Sequence, residues 1–369
     1  MSRATTRPVP TRTPTEATTP VPRWPGSVLA RGRLVAPGLV LALFVALAAT
    51  PLGHAVPVVG APVFGILLGL VLAAAVKPGD DLRPGLDFAA KPVLQTSIVV
   101  LGATLSLREV AGVGLGSLPV MLGTLAIALL GAWLLGRLLG VRGDARILIG
   151  VGTGICGASA IAATTAVLKP ERAQVAYAIG TIFTFNVVAV LLFPALGHAW
   201  GMSPQAFGLW AGTAVNDTSS VVAAAYSFSP AAGPYAVVVK LTRTLTLIPI
   251  VLALALWRAR RDARATPVPG GGRRPGWVSL PWRKVVPFFL VGFLLASALD
   301  TVGLVPTAWD PALTQVGTFL ITTALAGIGL SMRWSDIRGA GVRPLLLGGM
   351  LWVLVAASSL GLQAATHLL

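Results

Sequence analysis

Apolar residues run along the chain in eleven blocks, near 34–50, 57–76, 92–107, 117–139, 146–168, 173–198, 205–228, 234–257, 285–303, 311–331 and 344–367. Most approach the roughly 20 residues that a helix needs to cross a bilayer core about 30 Å thick. Inside lipid the backbone must satisfy its own N–H and C=O groups, which a helix does within one segment. The pattern predicts an all-α polytopic membrane protein with about nine to eleven transmembrane segments. Two blocks depart from it. GTGICGASAIAA (Gly152 to Ala163) and GTAVNDTSSVVAA (Gly212 to Ala224) put glycine, hydroxyls, an amide and a carboxylate where a lipid-facing helix carries leucine.

The chain also repeats itself. LSLREVAGVGLGSLP (Leu105 to Pro119) matches LSMRWSDIRGAGVRP (Leu330 to Pro344) at an offset of 225, pairing Ser106 with Ser331, Arg108 with Arg333, Gly114 with Gly339, Gly116 with Gly341 and Pro119 with Pro344. Gly102 and Gly327 pair just before. The two glycine-rich stretches match each other at an offset of 60, through Gly152/Gly212, Thr153/Thr213, Ser159/Ser219 and Ala163/Ala223. An inverted repeat needs equivalent segments to run in opposite directions. With one span between them, full crossings at 146–168 and 205–228 would be parallel. Re-entrant hairpins entering from opposite sides would be antiparallel; broken helices crossing at unwound centres are the competing arrangement.

Composition agrees with the membrane reading: 55% of the 369 residues are hydrophobic and 11% charged, against about 25% charged in soluble domains. The net charge of +16 would suit nucleic acid in a soluble protein. Here the basic residues lie between the apolar blocks and at the N-terminus, as positive-inside topology requires. Residues 1–33, rich in Thr, Pro and Arg, read as a disordered cytoplasmic tail, with no signal peptide. A first membrane region, 34–257, holds both glycine-rich stretches. A basic linker at 258–284 joins it to a second membrane region, 285–369. Arg137, Arg142 and Arg146 place their loop in the cytoplasm with the linker and tail.

The chemistry concentrates in the irregular stretches. Gly152, Gly154 and Gly157 permit a break in the helix, with hydroxyls from Thr153 and Ser159. A fresh helix N-terminus after such a break exposes unpaired N–H groups to an anion. Close helix packing is the other reading of these glycines. Of twelve acidic residues, Asp217 alone lies deep in an apolar block, beside Asn216 and ahead of Thr218 and Ser219. A carboxylate there is a candidate ion- or proton-coupling residue, or the structural partner of a buried cation. Lys240 and Arg243 lie within the 234–257 block, three apart and so on one helix face. With Asp217 they leave one net positive charge, which suits an anion; Arg offers a fork of donors to an oxyanion. The alternative is that one cation pairs with Asp217 while the other reaches backbone carbonyls. Cys156, the lone cysteine, has no His or carboxylate near it in sequence, so it reads as packing or lining the site. No phosphate-binding loop, metal cluster or cofactor motif is visible.

The Ile-Cys-Gly-Ala-Ser-Ala-Ile-Ala core, with Lys240-Leu-Thr-Arg243 and Leu105-Ser-Leu-Arg108, resembles a family of bacterial inner-membrane proteins named as sulfate exporters. The resemblance covers about 34 to 367. It implies a place among cation/proton antiporters and anion transporters, with inverted repeats and broken helices meeting at the midplane. The leading expectation is a non-enzymatic, multi-pass secondary transporter of a small anion, sulfate or another sulfur oxyanion. It would be coupled to H⁺ or Na⁺ through Asp217, with its N-terminus in the cytoplasm and no nucleic-acid partner. A cation/proton antiporter using Asp217 is the alternative; a membrane enzyme using Cys156 as nucleophile is the third. A homodimer is left open.

Overall fold

A computed structural model describes residues 28–56, 60–76, 78–141, 143–265, 288–331 and 342–368. The described residues are all-helical, and six helices are long and apolar enough to cross a membrane: Gly32–Ala55, Leu107–Leu138, Arg172–Ala199, Ala232–Arg258, Thr307–Ser331 and Val342–Ala365. In chain order the helices are α1 (Val28–Ala55), α2 (Gly60–Val76), α3 (Arg83–Phe88), α4 (Leu94–Gly102) and α5 (Leu107–Leu138). Then come α6 (Ala145–Gly154), α7 (Ala158–Leu168), α8 (Arg172–Ala199), α9 (Pro204–Ala214), α10 (Thr218–Phe228) and α11 (Ala232–Leu245). The last four are α12 (Leu247–Ala265), α13 (Phe288–Thr301), α14 (Asp310–Ser331) and α15 (Val342–Ala365).

Several boundaries differ from the apolar pattern. Helix α1 begins at Val28, inside the expected tail, while residues 1–27 lie outside the described residues. Most of the expected linker does too. The block expected at 92–107 is helical from Arg83, through a π-helical turn at Ala89–Val93 that holds Pro92. A widened turn accommodates the N–H that proline lacks. The early start is buried, because α3 crosses α1 at two glycines: a methyl group on Gly85 would come within 2.6 Å of Gly38 Cα. Helix α5 starts ten residues before the expected 117. Ser106 caps it, accepting from Glu109 N at 3.2 Å while its own N–H donates to Glu109 Oε2 at 2.9 Å. This capping box satisfies two of the helix's orphan donors. The repeated Leu-Ser motif is thus a helix start at Ser106, whereas Ser331 ends α14 and bonds Gly327 O. Arg333, Gly339 and Gly341 lie outside the described residues.

The offset-225 repeat is inverted in space. Its equivalent helices α5 and α15 pack antiparallel, Gly123 against Leu362, Gly131 against Leu354 and Gly136 against Leu347. Helices α4 and α14 likewise oppose, Leu101 beside Gly317 with Ala89 beside Gly327. The regions on either side of the linker interleave: α14 packs on α1, α2 and α4, and α15 on α5, α8 and α9.

The glycine-rich stretches are hairpins. Helix α6 runs parallel to α8, Gly143 facing Gln174 and Gly152 facing Ile182, so α7 must return to reach the start of α8. Ile161 of α7 accordingly packs on Gly152 of α6. In the second hairpin α9 runs parallel to α11, Gly208 facing Tyr235 and Gly212 facing Val239. Helix α10 turns back between them, so Phe207 and Phe228 at the hairpin's base stack with ring centroids 4.0 Å apart. One hairpin opens where α8 begins and the other where α8 ends, so they enter from opposite sides. Stacked Phe193 and Trp210, centroids 4.0 Å apart, fasten the second hairpin to α8. The first has no aromatic residue.

Candidate functional site

The hairpin tips meet. Gly157, in the first tip, lies against Asp217, in the second, and a methyl group there would sit 3.0 Å from Asp217 Cβ. The two residues are repeat equivalents at the offset of 60. Gly157 has φ +65° and ψ −129°, a conformation open to glycine almost alone. Gly157→Ala therefore combines backbone strain with a steric clash at the tip contact. We expect it to cost about 1–3 kcal/mol, read as a fall in thermal midpoint in detergent that Gly154→Ala exceeds only if packing dominates.

Gly152 and Gly154 do not break the helix. Both are helical in α6 and leave room for Ile161 and Ile182, and for Leu125 and Ala128. The chain turns instead at Ile155, φ −125° and ψ −90°, and at Gly157. Of the three glycines, one permits the turn and two serve packing, because α5, α7 and α8 crowd the end of α6.

Asp217 caps α10. Its Oδ1 accepts from Ser220 N at 2.9 Å; Oδ2 accepts from Ser220 Oγ at 2.7 Å and from Asn186 Nδ2. The amide of Asn186 turns its other end to the same tip, Oδ1 accepting from Asn216 N at 3.2 Å. Asn186 sits mid-way along α8 and is buried, so it fastens the second tip to the crossing helix. Helix α7 has no such cap at Gly157, which offers no side chain, and its Ala160 N–H is directed at the Cys156 thiol instead. Ser159 is exposed there, with Thr218, Ser219 and Ser220 half-buried.

Lys240 and Arg243 are completely buried. Neither forms an ion pair with Asp217; both serve backbone carbonyls. Lys240 Nζ donates to Val215 O at 2.7 Å. The guanidinium of Arg243 reaches both hairpins at repeat-equivalent carbonyls, Nη1 donating to Thr213 O and Nη2 to Thr153 O at 3.5 Å. These carbonyls end α6 and α9, where the helix dipole presents partial negative charge. The two cations thus neutralise the incoming helices, while the outgoing helices α7 and α10 point positive ends at the junction. Open valences remain: Arg243 Nε, Asn216 Oδ1 and the Thr153 hydroxyl are buried without a protein partner. Lys240 uses one of its three donors in the bond to Val215 O.

The expected residues are therefore brought together, in altered roles. Thr153 contributes its carbonyl in place of its hydroxyl. Cys156 is buried against the Thr244 hydroxyl and the Ala160 N–H, close to Lys240 and Arg243. Sequence reading missed Asn186, whose signal was an amide at the centre of an apolar span. It also missed the line from Thr213 to α15, where the Thr213 and Ser359 hydroxyls lie 2.7 Å apart and Gln363 Nε2 donates to Ser359 at 3.2 Å.

A family model described as Conserved hypothetical protein 698 matches residues 37–348. A UPF0324 membrane protein of Streptococcus pyogenes is 41% identical over 334 residues, 89% of this chain and 96% of the relative. One from Fusobacterium nucleatum is 37% identical over 346 residues, 88% and 96% of the two chains. One from Clostridium tetani is 39% identical over 307 residues, 83% and 89%.

Proposed function

We propose that this chain, which belongs to the Conserved hypothetical protein 698 family of membrane proteins, is a secondary active transporter of a small anion. The observation that carries the reading is the junction of two opposed hairpins over two buried cations and one carboxylate. Hairpins from opposite sides put a binding site mid-membrane, where either side can be given access by moving one repeat against the other. Donors are in surplus there: Arg243 Nε and the remaining Lys240 donors are open, while the one carboxylate already accepts three hydrogen bonds. The exposed hydroxyl of Ser159 and the half-buried hydroxyls of Thr218 and Ser219 complete an oxyanion's ligands. Sulfate, or another sulfur oxyanion, is the substrate class we assign, following the resemblance of the Ile155–Ala162 core.

Asp217 is the coupling residue in this scheme. A proton on either oxygen disturbs the donors from Asn186 and Ser220, so loading and release would loosen and refasten the second tip. The competing reading is a cation/proton antiporter, favoured by the free Oδ1 of Asn216 beside Asp217. Neutralising Lys240 and Arg243 separates the two: anion transport should collapse, and cation exchange should persist with a changed pH profile. The basic loops support a bacterial inner-membrane location with the N-terminus inside. Cysteines introduced at Lys169 and Pro230 check this, the first reacting with reagent from the cytoplasm and the second from outside; the reverse labelling would overturn the orientation.

The test is uptake of labelled sulfate into proteoliposomes of purified protein, with and without a pH gradient. Saturable, gradient-driven uptake is expected. Folded protein that moves no sulfate removes this substrate, and competition by other anions and Na⁺ then decides between the readings. Cys156→Ala should keep uptake within about twofold of wild type, since a thiol is a small group whose bonds to Thr244 and the Ala160 N–H are weak. Loss of all activity in that variant would instead favour the nucleophile reading.

A further inference from the structure

Away from the hairpins, α5, α8 and α15 enclose an open groove of about 920 Å³ on the membrane-facing side. Its walls are apolar throughout, with Leu134 on α5, Phe185 on α8, and Leu346 and Val353 on α15. Gly131 and Gly349 deepen it where larger side chains would fill it. Leu134, Leu346 and Val353 are each more than half exposed, so neighbouring helices leave this surface uncovered.

One end of the groove is basic. Arg137 stands one helical turn beyond Leu134 on α5, and Arg343 one turn before Leu346 on α15, so each arginine continues the face of a groove-lining leucine. Both are exposed. The guanidinium of Arg343 lies over the end of α5, Nη1 3.7 Å from where a methyl group on Gly140 would be. Arg146 packs its stem on Gly136 beside them. None of the three has a carboxylate within 4 Å among the described residues. Three guanidinium groups without a carboxylate partner among the described residues, at the mouth of an apolar groove, match a ligand with a hydrocarbon body and an anionic head. Arginine forks bind phosphate oxygens in pairs, and basic pockets between membrane helices bind acidic headgroups.

We propose that this groove is a binding site for an anionic phospholipid, its acyl chains lying between α5, α8 and α15 and its phosphate held by Arg137 and Arg343. The site is separate from the hairpin junction and independent of the transport reading. A retained lipid there seals α15, which bonds the second hairpin through Ser359 and the Ala356 carbonyl, against the bilayer.

The experiment is native mass spectrometry of detergent-purified protein titrated with phosphatidylglycerol and with phosphatidylcholine of the same acyl chains. Wild type should bind phosphatidylglycerol about tenfold more tightly, from near-surface attraction of the arginines. R137Q/R343Q should bind both lipids alike. Ala357→Trp, which fills the groove from an exposed position, should weaken both. Equal binding by wild type overturns the proposal, as does a preference that survives in R137Q/R343Q. A dimer that Ala357→Trp dissociates with lipid binding intact would assign the groove to a second copy of the chain instead.

Discussion

Arg243→Met should be the most damaging single substitution in the membrane interior. It removes a side chain that hydrogen-bonds both hairpins, leaving Thr153 O and Thr213 O without donors. A buried carbonyl left bare costs about 1–3 kcal/mol, and two are affected. Removing a buried charge returns some of its desolvation cost. That return is limited here, because the guanidinium faces the negative ends of two helices. Lys240→Met bares only Val215 O and should cost about half as much. Arg243→Lys keeps the charge without the fork, reaches one carbonyl, and should fall between. Melting of the detergent-solubilised variants orders the three. An Arg243→Met protein that melts with wild type would show that the tips are held without this bridge.

Asp217→Asn should have the largest effect on transport at a modest cost to the fold, because its amide nitrogen replaces one of the two accepting oxygens. Asn caps a helix about as well as Asp, so α10 keeps its start. The substituted amide cannot take up and release a proton, and uptake should lose its response to a pH gradient. Asp217→Ala goes further: it removes the cap, worth about 1 kcal/mol, and leaves the Asn186 amide without its acceptor. The comparison to make is gradient-driven against exchange uptake in proteoliposomes, with melting as the control for folding. If the Asn variant still concentrates substrate when a pH gradient is imposed, the coupling proton is carried elsewhere.

Much of this architecture was legible in the residues. Apolar block length is set by bilayer thickness, so the crossing helices follow from a one-dimensional pattern. Matches at offsets of 225 and 60 announced an inverted repeat, and the parity of the crossings favoured hairpins. Asp217, Lys240 and Arg243 stood out because ionisable groups in hydrocarbon are costly enough to need a reason.

What the chain alone left open was which polar atom faces which. Spacing placed Lys240 and Arg243 on one face, but their partners depended on where α6 and α9 end. Only the fold brings the carbonyls of Thr153 and Thr213 to the same guanidinium. The three glycines of the first tip look equivalent in sequence. Gly157 carries the turn because Asp217 occupies the space beside it, while Gly152 and Gly154 yield to neighbouring helices. Asn186 is separated from Asp217 by 31 residues, and no local periodicity links them. Sequence determines what must be buried and roughly where the chain turns, since those are local costs of solvation and backbone geometry. Tertiary structure decides the pairing of buried donors and acceptors, since each pair is fixed by the meeting of two distant segments.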